Sequence, residues 1–160
     1  MSRQLFRECS GIALALLVAL GATSALSQDD MAQPMPPETM EWGAAPPTLP
    51  EGAELAVLSG NPMEAGDFVV RLRFPDGYAV PPHTHPTAEN VTVISGTIIF
   101  THGEDPASAE PQEIAMGGYI MIPADHPHRA EAQGETVIQI HGEGPFEVSY
   151  LDPADDPRNQ

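Results

Sequence analysis

The sequence has no lysine and a single cysteine, Cys9. Cys9 precedes an apolar run that we interpret as part of a targeting segment, so the mature protein is expected to contain no cysteine. Neither a disulfide framework nor a thiolate metal site is then available. Long hydrophobic runs are also absent, because the apolar stretch of residues 11–22 is too short to cross a bilayer comfortably.

The N-terminus has the features of a signal peptide, which we predict over residues 1–27. Arg3 and Arg7 make a basic start, the apolar run follows, and residues 25–27 (Ala-Leu-Ser) fit a small-x-small cleavage site. We therefore expect a periplasmic or secreted protein whose mature chain begins at or near Gln28. A retained membrane anchor is the alternative, and the shortness of the apolar run disfavours it.

Positive charge is scarce throughout the chain. Six Lys+Arg residues stand against 23 Asp+Glu residues, and the formal net charge is −17. Such a surface repels phosphate backbones, so no nucleic-acid partner is expected. No membrane association is expected once the signal peptide has been removed.

The mature chain of about 130 residues is long enough for one domain and too short for two. Residues 28–53 are rich in Pro, Met, Glu and Ala without an apolar period, and they predict an extended Pro-rich arm. Residues 54–151 carry the alternating pattern of a β-barrel, and residues 152–160 form an acidic, proline-containing tail. Trp42 is expected to anchor the arm by simple packing, with a plug at the barrel mouth or a contact with a partner subunit as the alternatives.

Short alternating runs separated by Gly, Pro, Asn and Asp fill the barrel segment, and no credible amphipathic helix lies between them. This pattern predicts an all-β fold, an antiparallel sandwich or barrel. The predicted strands are residues 54–59, 67–74, 89–95, 97–102, 112–116, 119–123, 126–132, 136–141 and 146–151.

Three residues with metal-binding side chains lie close together in the sequence. His83 and His85 share one side of an extended chain, because side chains alternate along a strand. Pro86 cannot extend a hydrogen-bonded ladder, so a turn is expected there, and Glu89 should return on the next strand. Two imidazoles and a carboxylate supply three quarters of a site for a divalent transition metal.

A second motif lies in residues 117–128, where a glycine turn, a strand and a proline turn precede two histidines. Either His126 or His128 offers a fourth ligand, since both have the same strand phase. The spacing from Pro123 favours His128, and His126 is then expected at the rim of the site.

These two stretches resemble the two signatures of the cupin superfamily, and the resemblance covers roughly residues 55–150. The second signature departs from the usual pattern at Asp125, where glycine is usual, and at Ala132, where asparagine is usual. Asp tolerates the left-handed turn conformation that glycine favours, so the first departure is mild. The matching positions are Gly77, His83, His85, Glu89 and Gly96 in the first signature, and Gly117, Pro123 and His128 in the second.

The tail of the sequence is also similar to small, exported, single-domain cupins of the type-2-like kind. The resemblance implies a single antiparallel jelly-roll barrel in which His83, His85, Glu89 and His128 hold one divalent metal ion. Three neutral imidazoles and a carboxylate suit Fe, Mn, Ni, Cu, Zn or Co, and an octahedral ion would keep two open positions. Because the imidazoles must be neutral to bind, metal affinity is expected to fall as the pH drops through about 6.

The roles of the remaining histidines and of two arginines stay open at the sequence level. His102 is expected to be exposed at a strand end. His141 is expected to be a strand-end residue, with the pocket wall as its alternative. Arg71 and Arg73 alternate with an apolar strand face, so they should lie outside the barrel or in a subunit interface. An arginine that clamps a substrate carboxylate is the alternative for this pair.

Four further side chains in the predicted strands are expected in the core or the pocket wall. They are Tyr119, Met121, Ile138 and Ile140.

Three functions fit these observations. The first is a metal-dependent enzyme, dioxygenase- or isomerase-like, acting on a small organic molecule. The second is a non-catalytic module that binds or senses a metal complex or a small ligand. The third is an interaction scaffold in which the arm makes the contacts. A homodimer is expected in each case, since a small antiparallel barrel leaves sheet edges that need cover.

Overall fold

The chain folds almost entirely into β-strands. The computed structural model describes residues 33–103 and 109–160. Met35–Gln160 forms one compact unit, and the other unit, Met1–Pro34, lies almost wholly outside the described residues. Nine strands occur in the described ranges: β1 (Gly43–Ala44), β2 (Glu54–Ser59), β3 (Gly66–Phe74), β4 (Ala79–Thr84), β5 (Glu89–His102), β6 (Gln112–Ala115), β7 (Tyr119–Ile122), β8 (His128–Gly144) and β9 (Ser149–Tyr150).

All strand pairs are antiparallel, and the sheet curls around the long strand β8. One path through the sheet runs β1-β2-β3-β8-β4-β9, while β5 pairs with β6, β7 and β8. The 17 residues of β8 let it border β3, β4 and β5 in turn. The predicted all-β antiparallel barrel is confirmed.

The core follows from the alternation of side chains along the strands. On β3, Phe68, Val70, Leu72 and Phe74 are all buried. On β5, the predicted inward face of Glu89, Val91 and Val93 is likewise buried. Burial of these apolar faces supplies the main stabilisation of the sheet. Phe68 and Phe100 are the largest fully buried side chains in the described part of the chain.

Gly96 lies within β5, where the sequence predicted a break between two strands. Its φ is +74°, a left-handed conformation that side chains other than that of glycine rarely adopt. The register of β5 against β8 shifts twice at this point, between Val93 and Ser95 just before Gly96 and between Ser95 and Thr97 across it. The glycine therefore marks a bulge inside one continuous strand rather than a turn between two.

Replacing Gly96 with alanine is expected to destabilise the fold by about 1–3 kcal/mol more than the same change at Gly134. Both residues have a φ of +74°. A Cβ at Gly134 would meet nothing within 4 Å, whereas at Gly96 it would clash with the Glu135 carbonyl and with Thr136. Urea unfolding of the two variants measures the difference, and equal losses of stability would contradict the steric argument.

The predicted arm is not detached from the barrel. It contributes strand β1, in which Gly43 pairs with Leu55 of β2. The ring of Trp42 lies under the Arg73 guanidinium, 4.0 Å from its Cζ, and Arg73 also bonds Glu54 at 2.7 Å. These contacts hold the arm against the outer face of β2 and β3.

Some predictions concern residues that the structure does not describe. The predicted signal peptide, its cleavage site and Cys9 lie outside the described residues. Within residues 33–103 and 109–160, no helix is long and apolar enough to cross a membrane. Two single-turn 3₁₀ helices, Pro37–Thr39 and Pro157–Asn159, are the helical segments of those ranges.

Candidate metal centre

The ends of three strands bring the predicted ligands together. His83 lies near the end of β4, Glu89 begins β5 and His128 begins β8. His83 and His128 are direct partners in the β4–β8 pairing, so their side chains share one face of the sheet. His85 follows β4 by one residue. The strand register therefore makes neighbours of two histidines that are far apart in the sequence.

Two turns complete this arrangement. The chain leaves β4 after Thr84 and enters β5 at Glu89, which places the predicted turn around Pro86. Asp125 has a φ of 58°, the left-handed conformation expected at this departure from the cupin signature. Its backbone N–H donates to the His85 carbonyl at 2.8 Å. The turn before His128 is thus bonded directly to the first histidine pair.

The side chains of the four predicted ligands converge in the interior. One ligand atom from each of His83, His85 and His128 lies within 4.8 Å of the others. Glu89 Oε2 is 3.5 Å from His85 Nε2 and 3.4 Å from His128 Nε2. All four side chains are buried, with residue exposures between 2% and 6%. The carboxylate points inward, as the strand phase predicted.

Backbone carbonyls set the tautomer of each histidine. Because a carbonyl oxygen can only accept, the Nδ1 of each ring must carry the proton, and each Nε2 of a neutral ring is left with a free lone pair. Such an outer hydrogen bond is the usual support of a metal-bound imidazole. The donor–acceptor pairs are His83 to Pro81 at 2.7 Å, His85 to Glu147 at 2.7 Å and His128 to His126 at 2.9 Å.

Burial favours the neutral form of His83 and His85. It lowers the pKa of His83 to about 3, and the neighbouring His128 and His85 act in the same direction. Burial also lowers the pKa of His85, against the opposing effect of the Glu89 carboxylate. For Glu89 itself, burial opposes ionisation, but the contact with His128 and the nearby imidazoles outweigh it and lower the pKa. A carboxylate next to the neutral imidazoles of His83 and His85 is the result.

This set of groups fits a bound cation. The Nε2 atom of His85 is buried and has no hydrogen-bond partner among the described residues. Unprotonated nitrogen lone pairs and a carboxylate oxygen at about 3.5 Å repel one another, and a divalent ion between them would turn each into a ligand. His83, His85, Glu89 and His128 would hold that ion. Their role as ligands stays a prediction that the geometry suits.

Two aromatic rings frame the histidines, and neither was among the residues predicted for the site from the sequence. Phe146 stacks on His85 with ring centroids 4.2 Å apart, and Phe100 stacks on His128 at 5.5 Å. Phe100 could have been recognised from its inward strand phase with Ile98. Phe146 lies in the loop before β9, whereas a strand was predicted over residues 146–151, so the predicted alternation did not indicate the direction of its ring.

The four candidate ligands border a cavity of about 150 Å³ inside the barrel. Its other walls are mainly aliphatic and aromatic, and they include Ile138 and Ile140, as predicted. The turn of the arm at residues 46–49 also lines the cavity, through Pro46, Thr48 and Leu49. No pattern in the sequence indicates this contribution, because an aperiodic segment does not show what it covers.

Two tyrosine hydroxyls hold the cavity-lining turn of the arm in place. Tyr78 donates to the Pro50 carbonyl at 2.6 Å, and Tyr150 donates to the Thr48 carbonyl at 2.8 Å. Burial raises the pKa of Tyr150 to about 12, so this hydroxyl keeps its proton at neutral pH. The arm is therefore a wall of the pocket as well as a connection.

The remaining histidines lie outside the cluster of four. His126 does not replace His128, and it lies half-buried beside the site with Nε2 at 3.0 Å from His102 Nδ1. His102 is also half-buried and contacts Gln112, so the prediction that it is exposed was wrong. His141 is exposed on the outer face, which excludes its alternative role in the pocket wall.

The structure also places the two arginines and the two pocket-wall candidates of strand β7. Tyr119 and Met121 are 56% and 51% exposed, so placing them in the core or pocket wall was wrong. Arg71 and Arg73 lie outside the cavity, as the strand phase indicated. Arg71 contacts Gln139 at 3.1 Å and the sulfur of Met40 at 3.4 Å. Neither arginine lines the cavity, which argues against a substrate clamp.

The curled antiparallel barrel, with its histidines at the strand ends, defines a protein of the cupin class. Residues 31–147 match the family of the ChrR cupin-like domain, and the chain belongs to this family. No curated protein matches the sequence.

Solved structures share the fold at low sequence identity. The polyketide cyclase RemF from Streptomyces resistomycificus is 17% identical with a TM-score of 0.61, over 79% of this chain and 90% of that one. An RmlC-like cupin from Shewanella frigidimarina is 14% identical with a TM-score of 0.54, over 68% and 87%. A point mutant of Bacillus subtilis oxalate decarboxylase is 17% identical with a TM-score of 0.55, over 71% and 31%.

Proposed function

We propose that this protein is an exported metal-binding cupin that takes a small organic molecule next to one divalent ion. In this proposal His83, His85, Glu89 and His128 hold the ion, and the adjoining cavity holds the ligand. The observation that carries it is the buried cluster of three Nε2 lone pairs and a carboxylate, open to a largely apolar cavity. The ion is Fe, Mn, Ni, Cu, Zn or Co.

The favoured activity is that of a metal-dependent enzyme, dioxygenase- or isomerase-like. When bound, such an ion supplies Lewis-acid or redox chemistry at its open positions. The chain itself orients the three imidazoles through backbone carbonyls and excludes water with apolar walls. The similar structures include a cyclase and a decarboxylase, so the fold alone does not choose the reaction.

A non-catalytic binding module is the second candidate, and one observation favours it. The described residues that line the cavity include two carboxylates, Glu89 and Glu147. Glu89 is a candidate metal ligand, and Glu147 is exposed. A second acid–base group near the ion is therefore absent from the described walls. An interaction scaffold is the third candidate, and it would leave the buried cluster without a role.

Metal analysis of protein purified from its native compartment without chelating resin tests the proposal. We expect roughly one transition-metal ion per chain, held by the four-residue site. Dioxygen uptake or turnover with oxidisable small molecules then separates the enzyme from the binding module. Protein that stays metal-free after native purification and after incubation with Zn²⁺ and Fe²⁺ would exclude both.

Export is part of the proposal and rests on the sequence features of residues 1–27. We expect mass spectrometry of the exported protein to show a mature N-terminus at or within a few residues of Gln28. Recovery of the protein from the periplasm or medium with Met1 intact would contradict the cleavage.

We also propose a homodimer, as the exposed sheet edges and side chains favour a partner. Strand β1 pairs only with β2 among the described residues, which leaves its other edge open. Met116 and Tyr119, 71% and 56% exposed, add apolar surface. Light scattering at micromolar concentration should give twice the mass of one mature chain, and the mass of a single chain would contradict the dimer.

A further inference from the structure

The walls of the cavity restrict the class of molecule that can enter it. Apart from the four candidate ligands, the described lining residues are apolar except for Thr48 and Glu147. The Thr48 carbonyl already accepts the Tyr150 hydroxyl, and the Glu147 carbonyl already accepts the Nδ1–H of His85. Beyond the Thr48 hydroxyl and the exposed Glu147 carboxylate, a ligand that carries several hydroxyls would therefore bury polar groups without partners, which weakens its binding.

The described cationic side chains are all engaged elsewhere. None of the four described arginines lines the cavity, and the chain contains no lysine. A ligand with a carboxylate or phosphate away from the metal would thus find no positive partner, and the net charge of −17 opposes polyanions further. The arginine partners are Gln139 for Arg71, Glu54 for Arg73, Glu131 for Arg129 and Asp156 for Arg158.

Size limits the ligand as well. The cavity measures about 150 Å³. An engineered apolar cavity of that volume binds benzene, so about six to ten non-hydrogen atoms are expected to fit, including the metal-binding end. The aromatic rings of Phe146 and Phe100, stacked on His85 and His128, favour a flat apolar body near the site.

We propose that the ligand is a compact apolar molecule with a single oxygen-bearing chelating end, and that sugars, sugar acids and dicarboxylates are excluded. This inference rests on the proposed function, because the chelating end is directed at the ion held by the four ligands. The apolar part of the ligand is selected by the cavity walls alone, so it can be tested without the ion.

Three hydroxamic acids that share one chelating group provide the first test. Calorimetric titration of Zn²⁺-loaded protein should give at least about tenfold tighter binding of benzohydroxamate than of acetohydroxamate, since the phenyl ring is buried in the cavity. Benzohydroxamate with a carboxylate at ring position 4 should bind at least about tenfold more weakly than benzohydroxamate itself. Equal or stronger binding of the carboxylated probe would overturn the inference while leaving the metal site intact.

The metal-free protein provides the second test and separates the two proposals. Toluene should raise its Tm, whereas glucose and oxalate at the same concentration should not. If the protein takes up no Zn²⁺ but binds toluene, the proposed function fails and the cavity assignment stands. If toluene leaves the Tm of the metal-free protein unchanged, the cavity assignment is wrong.

Variants that fill the cavity test whether benzohydroxamate binds inside it. Ala130 lines the cavity, so Ala130→Leu should fill part of it and weaken benzohydroxamate by at least about tenfold. Ala79 is exposed on β4, and Ala79→Leu is the matched control that should leave binding unchanged. Ile138→Phe serves as a second filling variant if Ala130→Leu loses Zn²⁺ or fails to fold. Unchanged binding in a folded, Zn²⁺-loaded filling variant would contradict the assignment.

Discussion

Alanine at His83, His85 or His128 is expected to lower metal affinity by more than about 100-fold, because changes to mere outer-shell partners of metal ligands already cost about 10–100-fold. Each of these rings presents an Nε2 without a proton, while its Nδ1 is bonded to a backbone carbonyl. Removal of one ring deletes a ligand that no other described side chain can replace in the buried cluster.

The matched control for the ligand variants is His102→Ala. His102 lies near the site but bonds His126 and Gln112, and it is not one of the three clustered histidines. Zn²⁺ titration with a competing chelator, together with elemental analysis of each variant, measures the effect. Full metal binding in any of the three alanine variants, or its loss in His102→Ala, would contradict the assignment of ligands.

Glu89→Gln tests the carboxylate while nearly keeping its shape. The Glu89 oxygen contacts the Nε2 atoms of His85 and His128 at 3.5 and 3.4 Å. Loss of its negative charge should weaken metal binding, and the amide would offer the orphaned His85 Nε2 a hydrogen-bond donor. The metal-free form of this variant is therefore expected to unfold at a temperature equal to or above that of the metal-free parent protein. A metal affinity unchanged from that of the parent would remove Glu89 from the ligand set.

The metal-free protein is expected to lose stability as the pH falls below about 6.5. Burial holds the pKa of His83 at about 3 in the folded state, against about 6.5 in the unfolded chain. Between these values the unfolded state binds the extra proton, so the free energy of unfolding decreases by up to about 1.4 kcal/mol per pH unit from this group. The lowered pKa of His85 adds to the slope. Above about pH 6.5 neither group contributes.

Urea unfolding at several pH values, after chelation of metal, measures this slope. His83→Gln keeps a polar side chain of similar size without a titrating group, so its slope should be shallower than that of the parent. His141→Ala, at an exposed histidine away from the cluster, should keep the parental slope if the effect comes from His83. An identical slope in His83→Gln would assign the acid sensitivity to other groups.

The same burial changes the expected pH range of metal binding. The sequence prediction of a decline near about pH 6 used the ordinary imidazole pKa. His83 stays neutral in the folded protein well below that pH. Protons therefore compete with the metal for this imidazole only at a lower pH than they would for a histidine with an ordinary pKa. Metal titrations across the acidic range up to neutral pH test this shift.

The sequence predicted much of the site because its information is local. His83, His85 and Glu89 lie within seven positions, and strand alternation with the turn around Pro86 brings them onto one side. The spacing from Pro123 likewise selected His128 over His126. Alternation also predicted most of the strand segments, but it divided each of the continuous strands β5 and β8 into two. In β5 the cause was Gly96, which was interpreted as a turn, since a positive φ serves a bulge as well as a loop.

The sequence did not correctly predict which face of some strands is buried. The faces of a short strand are distinguishable, but the side that meets the core depends on its partner strands. Tyr119 and Met121 were therefore placed inside although they are exposed. His102 was placed outside, because its contact with His126 joins segments that are 24 residues apart.

By itself, the sequence determined the β class of the fold, the chemical types of the four candidate ligands and the scarcity of cations, from which no nucleic-acid partner is expected. Only the tertiary structure decided which groups complete the site. The carbonyls that set the histidine tautomers, the stacked ring of Phe146 and the arm turn at residues 46–49 reach the cavity through contacts between distant segments. Such contacts depend on the register of paired strands and on the path of aperiodic chain, and neither leaves a periodic trace in the residues that make them.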